Sequence, residues 1–208
     1  MITGIVVQGV SALCFEMVVA LRHHCWKEVL PDLALLADGH DDHSLHFVLL
    51  EERGVIAAAR LCVHEPLAEV PDPHLFATAD FPMAAPFGCM SRLVVHPDYR
   101  RTGIAAILDH ARIETARSIG CRTMLVVTSL HSGVRRRQAL DAQGFTCLAH
   151  GEGVGDGMWG MSYPYARRLD TDMGTDVSMR LRTADQDDLS RWFNGLLAAL
   201  NAARVGGE

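Results

Sequence analysis

The chain has 208 residues, a formal charge of −6 at pH 7, and 49% apolar against 21% charged residues. That length suits one domain with a sizeable core and a short further segment. The acidic balance excludes a general nucleic-acid surface, because Arg135-Arg136-Arg137 is the only basic run.

The first residues are apolar, but no Lys or Arg precedes them and Gln8, Ser11 and Glu16 interrupt them. Neither a leader peptide nor a membrane span is expected, and the predicted location is cytoplasmic. The six cysteines at 14, 25, 62, 89, 121 and 147 form no Cys-x-x-Cys and are expected to be buried, reduced thiols.

Ile2 to Gln8 reads as a strand closed by Gly9. A helix is predicted from Ser11 to Val29, stopping before Pro31, with Leu13, Met17, Ala20, Leu21 and Cys25 as its apolar stripe. Asp38 to His46 then places His40, His43 and His46 three apart among acids. A divalent-metal site is one reading of that spacing; a solvated polar loop entering a strand is the other, and it is the expectation. Ser44–Glu51 and Val55–Val63 form a predicted hairpin around Gly54. Glu65 to Phe87 carries five prolines and no period, a long loop expected to cover one side of a site.

Gly88 to Val95 is the next predicted strand, ending before Pro97. A basic turn with one glycine follows, and then a helix with Ile104, Ile107, Leu108 and Ala111 inward and Asp109, His110, Arg112 and Glu114 on the opposite face. Free N–H groups and the positive end of the helix dipole make such a turn an anion site. It lacks the Gly-Lys-Ser/Thr of a nucleotide P-loop and the three glycines of a dinucleotide fingerprint. The helix should end at Gly120. Further predictions are a strand over Cys121–Ser129, a helix over Gly133–Gln143, and strands over Thr146–His150 and Met158–Tyr165. From Asp170 a polar linker leads to a predicted strand, Ser178–Arg182, and a capping box at Thr183 and Gln186. Leu189, Trp192, Phe193, Leu196, Leu197 and Leu200 then form an apolar stripe that has to dock, on the same domain or across a homodimer, the latter being the expectation. The expected organisation is a domain over 1–168 and a linker with an amphipathic helix over 169–208.

Leu93-x-Val95-x-Pro97-x-Tyr99-Arg100-Arg101-x-Gly103-Ile104-Ala105 resembles motif A of the GNAT superfamily of N-acetyltransferases, with Arg100, Gly103 and Ala105 on its Arg/Gln-x-x-Gly-x-Gly/Ala core. Gly144-Phe145 matches the close of a later helix in that family. The resemblance implies an α/β (α+β) GNAT fold: a mixed, mostly antiparallel sheet with splayed central strands flanked by helices, here with a C-terminal strand-helix extension. It implies acetyl-CoA as co-substrate, no metal, and a small-molecule primary amine as acceptor. Leu93, Val94 and Val95 would hold the pantetheine arm, and Arg100, Arg101, Thr102, Gly103, Ile104 and Ala105 the pyrophosphate. Leu21-Arg22-x-x-x-Trp26 and Arg60-Leu61 resemble the subgroup of acyl-homoserine-lactone and N-acyl amino acid synthases. That subgroup offers an alternative with longer acyl groups, carried by CoA or by acyl carrier protein.

Three departures concern the chemistry. Cys89 stands where the family often has a carboxylate, Leu140 where it has a tyrosine acid, and Gly133 where it has an asparagine. A non-catalytic acyl-CoA-binding protein is therefore a third reading. The substitute catalytic candidates are His131, with its near-neutral pKa, Cys89 and Ser129, with Tyr163 and Tyr165 behind them. The acids of 38–46 would receive a cationic group.

Overall fold

The computed structural model describes residues 1–10, 13–28, 36–52, 54–129, 132–149, 154–157, 160–169 and 185–205. Among them the strands are β1 (Thr3–Gln8), β2 (Leu45–Glu51), β3 (Gly54–His64), β4 (Phe87–Val95), β5 (Thr123–Ser129), β6 (Thr146–Cys147), β7 (Val154–Gly157) and β8 (Gly160–Arg168). The helices are α1 (Leu13–Trp26), α2 (Ile104–Ser118), α3 (Gly133–Ala142) and α4 (Gln186–Val205). His131, the linker and the predicted strand at 178–182 lie outside the described residues. No described helix is long and apolar enough to cross a membrane.

One sheet runs β1-β2-β3-β4-β5-β8-β6, with β7 on β8. Among the described residues β4 and β5 form its parallel pair, and every other pairing is antiparallel. That is the expected mixed, mostly antiparallel arrangement. The β4–β5 pairing covers only Phe87–Met90 against Thr123–Val126. Beyond it the two strands part, β4 staying with β3 and β5 with β8. Among the described residues, Leu93–Val95 therefore lie beyond the reach of the β5 pairing.

Alternation along β2 and β3 decides what lies on each face. Phe47, Leu49, Ala57, Ala59 and Leu61 join Ile107, Leu108 and Ala111 of α2 and Leu189, Phe193 and Leu197 of α4 in the main core. Val48, Ala58 and Val94 meet Val18 and Leu21 of α1 in a separate cluster. On α1 the inward face is Phe15, Val18, Leu21 and Arg22, whereas Met17, predicted inward, is 39% exposed. The proline-rich stretch after β3 is folded: Val70, Leu75 and Phe76 pack on Cys62, Cys89, Leu125 and Ala166. Of the six cysteines, all free, Cys62, Cys89 and Cys121 are buried and the other three only partly so.

The apolar stripe of α4 docks on its own domain, against β1, instead of across a homodimer. Gly4 has no side chain, and Phe193 and Leu197 occupy the space a Cβ would need. Asn194 accepts from Gly4 N–H at 2.8 Å and donates to Gly4 O at 2.6 Å, while Ser190 accepts from Val6 N–H at 2.9 Å. These side chains satisfy the outer edge of β1, where another strand would otherwise pair. Asp185, whose carboxylate accepts from Asp188 N–H at 2.8 Å, opens the helix.

Candidate active site

The anion turn grows from the end of β4. His96 N–H donates to Ile56 O at 2.8 Å, holding the strand end to β3. Pro97–Tyr99 forms one 3-10 turn, braced by the Thr102 hydroxyl on Tyr99 O at 2.6 Å and by the Tyr99 hydroxyl on Glu51. Arg101 (φ 65°) and Gly103 (φ 80°) are both left-handed, which reverses the chain into α2. Ile107 N–H is bonded to Gly103 O, so the N–H groups of Ile104, Ala105 and Ala106 precede the first helical bond and remain available to an anion. Arg100 reaches back, its Nε donating to Val95 O at 3.2 Å.

Above the turn, β4 is bulged. Ala58 pairs with Val94, but Arg60 pairs with Ser91, so β4 carries one extra residue and Arg92 adopts φ 54°. The bulge lies where β4 leaves β5, with Arg92 and Leu93 together opposite the single residue Ala59 of β3. Arg112 supports it from α2. Its guanidinium donates to Ser91 O at 3.3 Å and Arg60 O at 3.2 Å, and pairs with Asp109 at 2.5 Å. Asp109 also receives Arg136 and Gln143. The pattern of α2 placed Asp109 and Arg112 on an outward face, yet both are 0% exposed. Burial pulls Arg112 down to about 10 despite Asp109.

On the α1 side of the bulge stands a polar wall. Asp41 takes both arms of Arg22 at 3.0 Å and Arg60 at 3.0 Å. Asp38 pairs with Arg60 at 2.5 Å and Arg92 at 2.6 Å. Arg60 Nε donates to Ser91 Oγ at 2.9 Å, and Arg92 lies over the Trp26 ring at 5.9 Å. Burial would raise the Asp38 carboxyl, but Arg60 and Arg92 hold it well below the usual carboxylate range. Asp41 is likewise held low against burial by Arg22 and Arg60. Burial holds His46 below its ordinary value; its Nε2 bonds Asp41 O at 3.0 Å. The 38–46 stretch is therefore not a solvated loop throughout, since only Asp42 and His43 of its charged side chains are exposed, and Asp38 and Asp41 are not free for a cation because three arginines engage them. Nor do its histidines converge, since His46 is locked beneath Asp41 and His40 lies instead beside Cys62 and His64.

The sequence pattern described as Acetyltransferase (GNAT) family matches residues 14–145. The chain belongs to the GNAT family. Solved GNAT-fold structures agree in architecture. An IAA acetyltransferase from Bacillus cereus is 14% identical with a TM-score of 0.54, over 81% of this chain and 100% of that one. Arabidopsis thaliana NAA60 in complex with acetyl-CoA is 12% identical with a TM-score of 0.57, over 82% and 100%. The CoA-dependent acyl-homoserine lactone synthase BjaI, with SAM and isopentyl-CoA, is 20% identical with a TM-score of 0.57, over 81% and 85%. Nothing among curated protein sequences matches.

In this GNAT chain the residues expected to hold the donor fall together: Leu93, Val94 and Val95 on the part of β4 beyond its pairing with β5, and Arg100 to Ala105 around the start of α2. The catalytic candidates are more scattered. Ser129 ends β5 past the point of divergence, its Oγ 3.4 Å from Ser132 Oγ. Cys89 is 4% exposed, and the Cys62 hydrogen bond together with burial pushes its thiol well up, the setting of a structural cysteine. Tyr163 and Tyr165 face α3, where they line a cavity of about 300 Å³ with Val134, Arg137, Gln138 and Asp141. Burial raises Tyr165 to about 12. The Arg–Asp wall and the Arg112 support were missed from sequence. Their signal was a charged residue inside an apolar strand (Arg60) and an i, i+3 Asp–Arg pair on a helix flanked by apolar residues.

Proposed function

We propose that the chain is an acetyl-CoA-dependent N-acetyltransferase acting on the primary amine of a small molecule by direct attack. The observation that carries this reading is the continuity of turn and strand. An N–H-lined, arginine-flanked turn follows directly on a strand segment, Leu93–Val95, that β5 does not pair with among the described residues.

Pyrophosphate would rest on the N–H groups of Ile104–Ala106, with Thr102 and Gly103 shaping the turn and Arg100 and Arg101 supplying charge. The pantetheine arm would pair with Leu93, Val94 and Val95 as an added strand does. A backbone N–H of this bulged segment would polarise the thioester oxygen as the amine nitrogen attacks. The C–N bond forms, the C–S bond breaks, and the sulfur leaves as thiolate to take a proton. The attacking amine has to release its own proton. His131 is the first residue to test for that, by the pH dependence of turnover in His131→Ala, and Ser129 the next; Cys89 is given no step. The wall sets three arginines against two aspartates, which favours an acceptor bearing an anionic group beside its amine over a polyamine.

The test is calorimetric titration with acetyl-CoA and longer acyl-CoAs, followed by thiol release across a panel of amino acids and polyamines. Tight acetyl-CoA binding with amine-dependent thiol release is expected. Turnover confined to long-chain donors, or to acyl carrier protein, would replace acetyl by longer-acyl transfer. Binding without turnover on any amine would leave only a binding protein, and no binding at all would overturn the reading.

A further inference from the structure

A second cluster of chemically competent side chains lies along β3, away from the donor turn. Cys62 and His64 are two apart on one strand, so both project from the same face. His40, in the turn preceding β2, sets its ring edge-on to His64 at 5.3 Å between centroids. One donor atom from each of His40, Cys62 and His64 lies within 4.8 Å of the others. The thiol is buried and the two histidines half-buried, so the cluster is anchored inside and reached from outside. His64 Nε2 is a buried ring nitrogen with no hydrogen-bond partner among the described residues. A buried polar atom left without a partner calls for an explanation.

We propose that His40, Cys62 and His64 form a binding site for a soft divalent cation of the Zn(II) type, with a fourth coordination position open to solvent. One thiolate and two imidazoles match the donor preference of that ion, and three protein ligands with one open position is an established zinc arrangement. Metal–ligand lengths of about 2.0–2.3 Å set donor atoms about 3.3–3.7 Å apart in a tetrahedron. The cluster therefore has to contract by about 1 Å, within reach of imidazole rotation. Binding displaces the Cys62 proton to solvent and gives the orphaned histidine nitrogen a partner. It would also tie the turn bearing His40 to β3. His40 N–H donates to Asp38 at 3.0 Å, and Asp38 holds Arg60 and Arg92, so the cation would brace the polar wall from behind.

The test uses the full-length protein, reduced and stripped of metal, titrated with Co(II) and then with Zn(II). One Co(II) per chain is expected, with a thiolate-to-cobalt charge-transfer band that Zn(II) removes, and with a rise in melting temperature. Cys62→Ser should abolish the band, and His64→Asn should weaken binding at least tenfold. Cys121→Ser and His43→Ala, outside the cluster, should change neither. Circular dichroism of the metal-free variants shows whether each folds; if Cys62→Ser does not, His40→Asn and His64→Asn decide the matter. Absence of the band in folded wild-type protein overturns the proposal. So does a band that survives in folded Cys62→Ser, or one untouched by both histidine substitutions.

Discussion

Replacing Arg112 by Met removes the support of the β4 bulge while keeping the length of the side chain. Arg112 is wholly buried, holds Asp109, and donates to the carbonyls of Arg60 and Ser91. Breaking a buried ion pair from one side costs about 3–5 kcal/mol, because the other charge stays behind. Asp109 keeps Arg136 and Gln143, which sets the loss at the lower end, about 3 kcal/mol. Two carbonyls deprived of their donor add about 1 kcal/mol together, giving a total of about 4 kcal/mol. For a chain of this size that lowers Tm by about 8–16 °C. Asp109→Leu in the same background removes the stranded carboxylate and lets the partly exposed Arg136 turn to water, so the double variant should recover about 2 kcal/mol. Denaturant melts and calorimetric scans of the three proteins measure this. A single variant melting within 2 °C of wild type, or a double variant at the sum of the single losses, would refute the account.

Arg100→Ala should weaken acetyl-CoA binding by about 1.5–3 kcal/mol, the range for a hydrogen bond to a charged group, and Gly103→Val should abolish it because φ 80° disfavours a branched residue; calorimetry showing unchanged affinity in both would remove the donor site. Asp38, Asp41 and Asp109 all have folded pKa values below their unfolded ones. Their contribution to stability is therefore complete above about pH 4 and lost as pH falls through the lower folded values, and Asp41→Asn should flatten that acid limb in a Tm-against-pH series. His46 is depressed too, so the unfolded chain takes up its proton first and stability declines as pH drops through about 6.5. His46→Gln should abolish that part of the slope. Phe193→Ala should cost about 3–5 kcal/mol by leaving a cavity between α4 and the sheet, and Gly4→Ala about 1–3 kcal/mol by driving a methyl into Phe193, both read from denaturant melts.

The strand-turn-helix around Gly103 was legible because three local signals coincide: a β-branched run, Pro97 before the reversal, and a helical period after it. Short-range patterns of this kind need no knowledge of what packs on them. Arg22, Arg60 and Arg112 were opaque for the opposite reason. Burial of a charge depends on partners 19, 22 and 52 positions away in sequence, as in Arg22–Asp41, Arg60–Asp38 and the Arg112 bond to Arg60 O. Polarity alone places such residues outside. The β4 bulge escaped notice as well, since Arg92 is an ordinary residue in an unusual conformation and nothing adjacent announces φ 54°. The docking of α4 was half legible. Its stripe demanded a surface, but only the absent side chain of Gly4 opposite Phe193 identifies β1 as that surface.

The hydrogen bonds that Gly4 and Val6 N–H donate to Asn194 and Ser190 join residues 190 and 184 positions apart. In a growing polypeptide, β1 can pair with β2 early, but its outer side stays bare until α4 has left the ribosome. At about 5–20 residues per second, that interval is roughly ten to forty seconds. Throughout it, each nascent copy offers an open strand to its neighbours on the same messenger. Yield should therefore respond to the speed of translation and to the spacing of ribosomes more than to the stability of the finished fold.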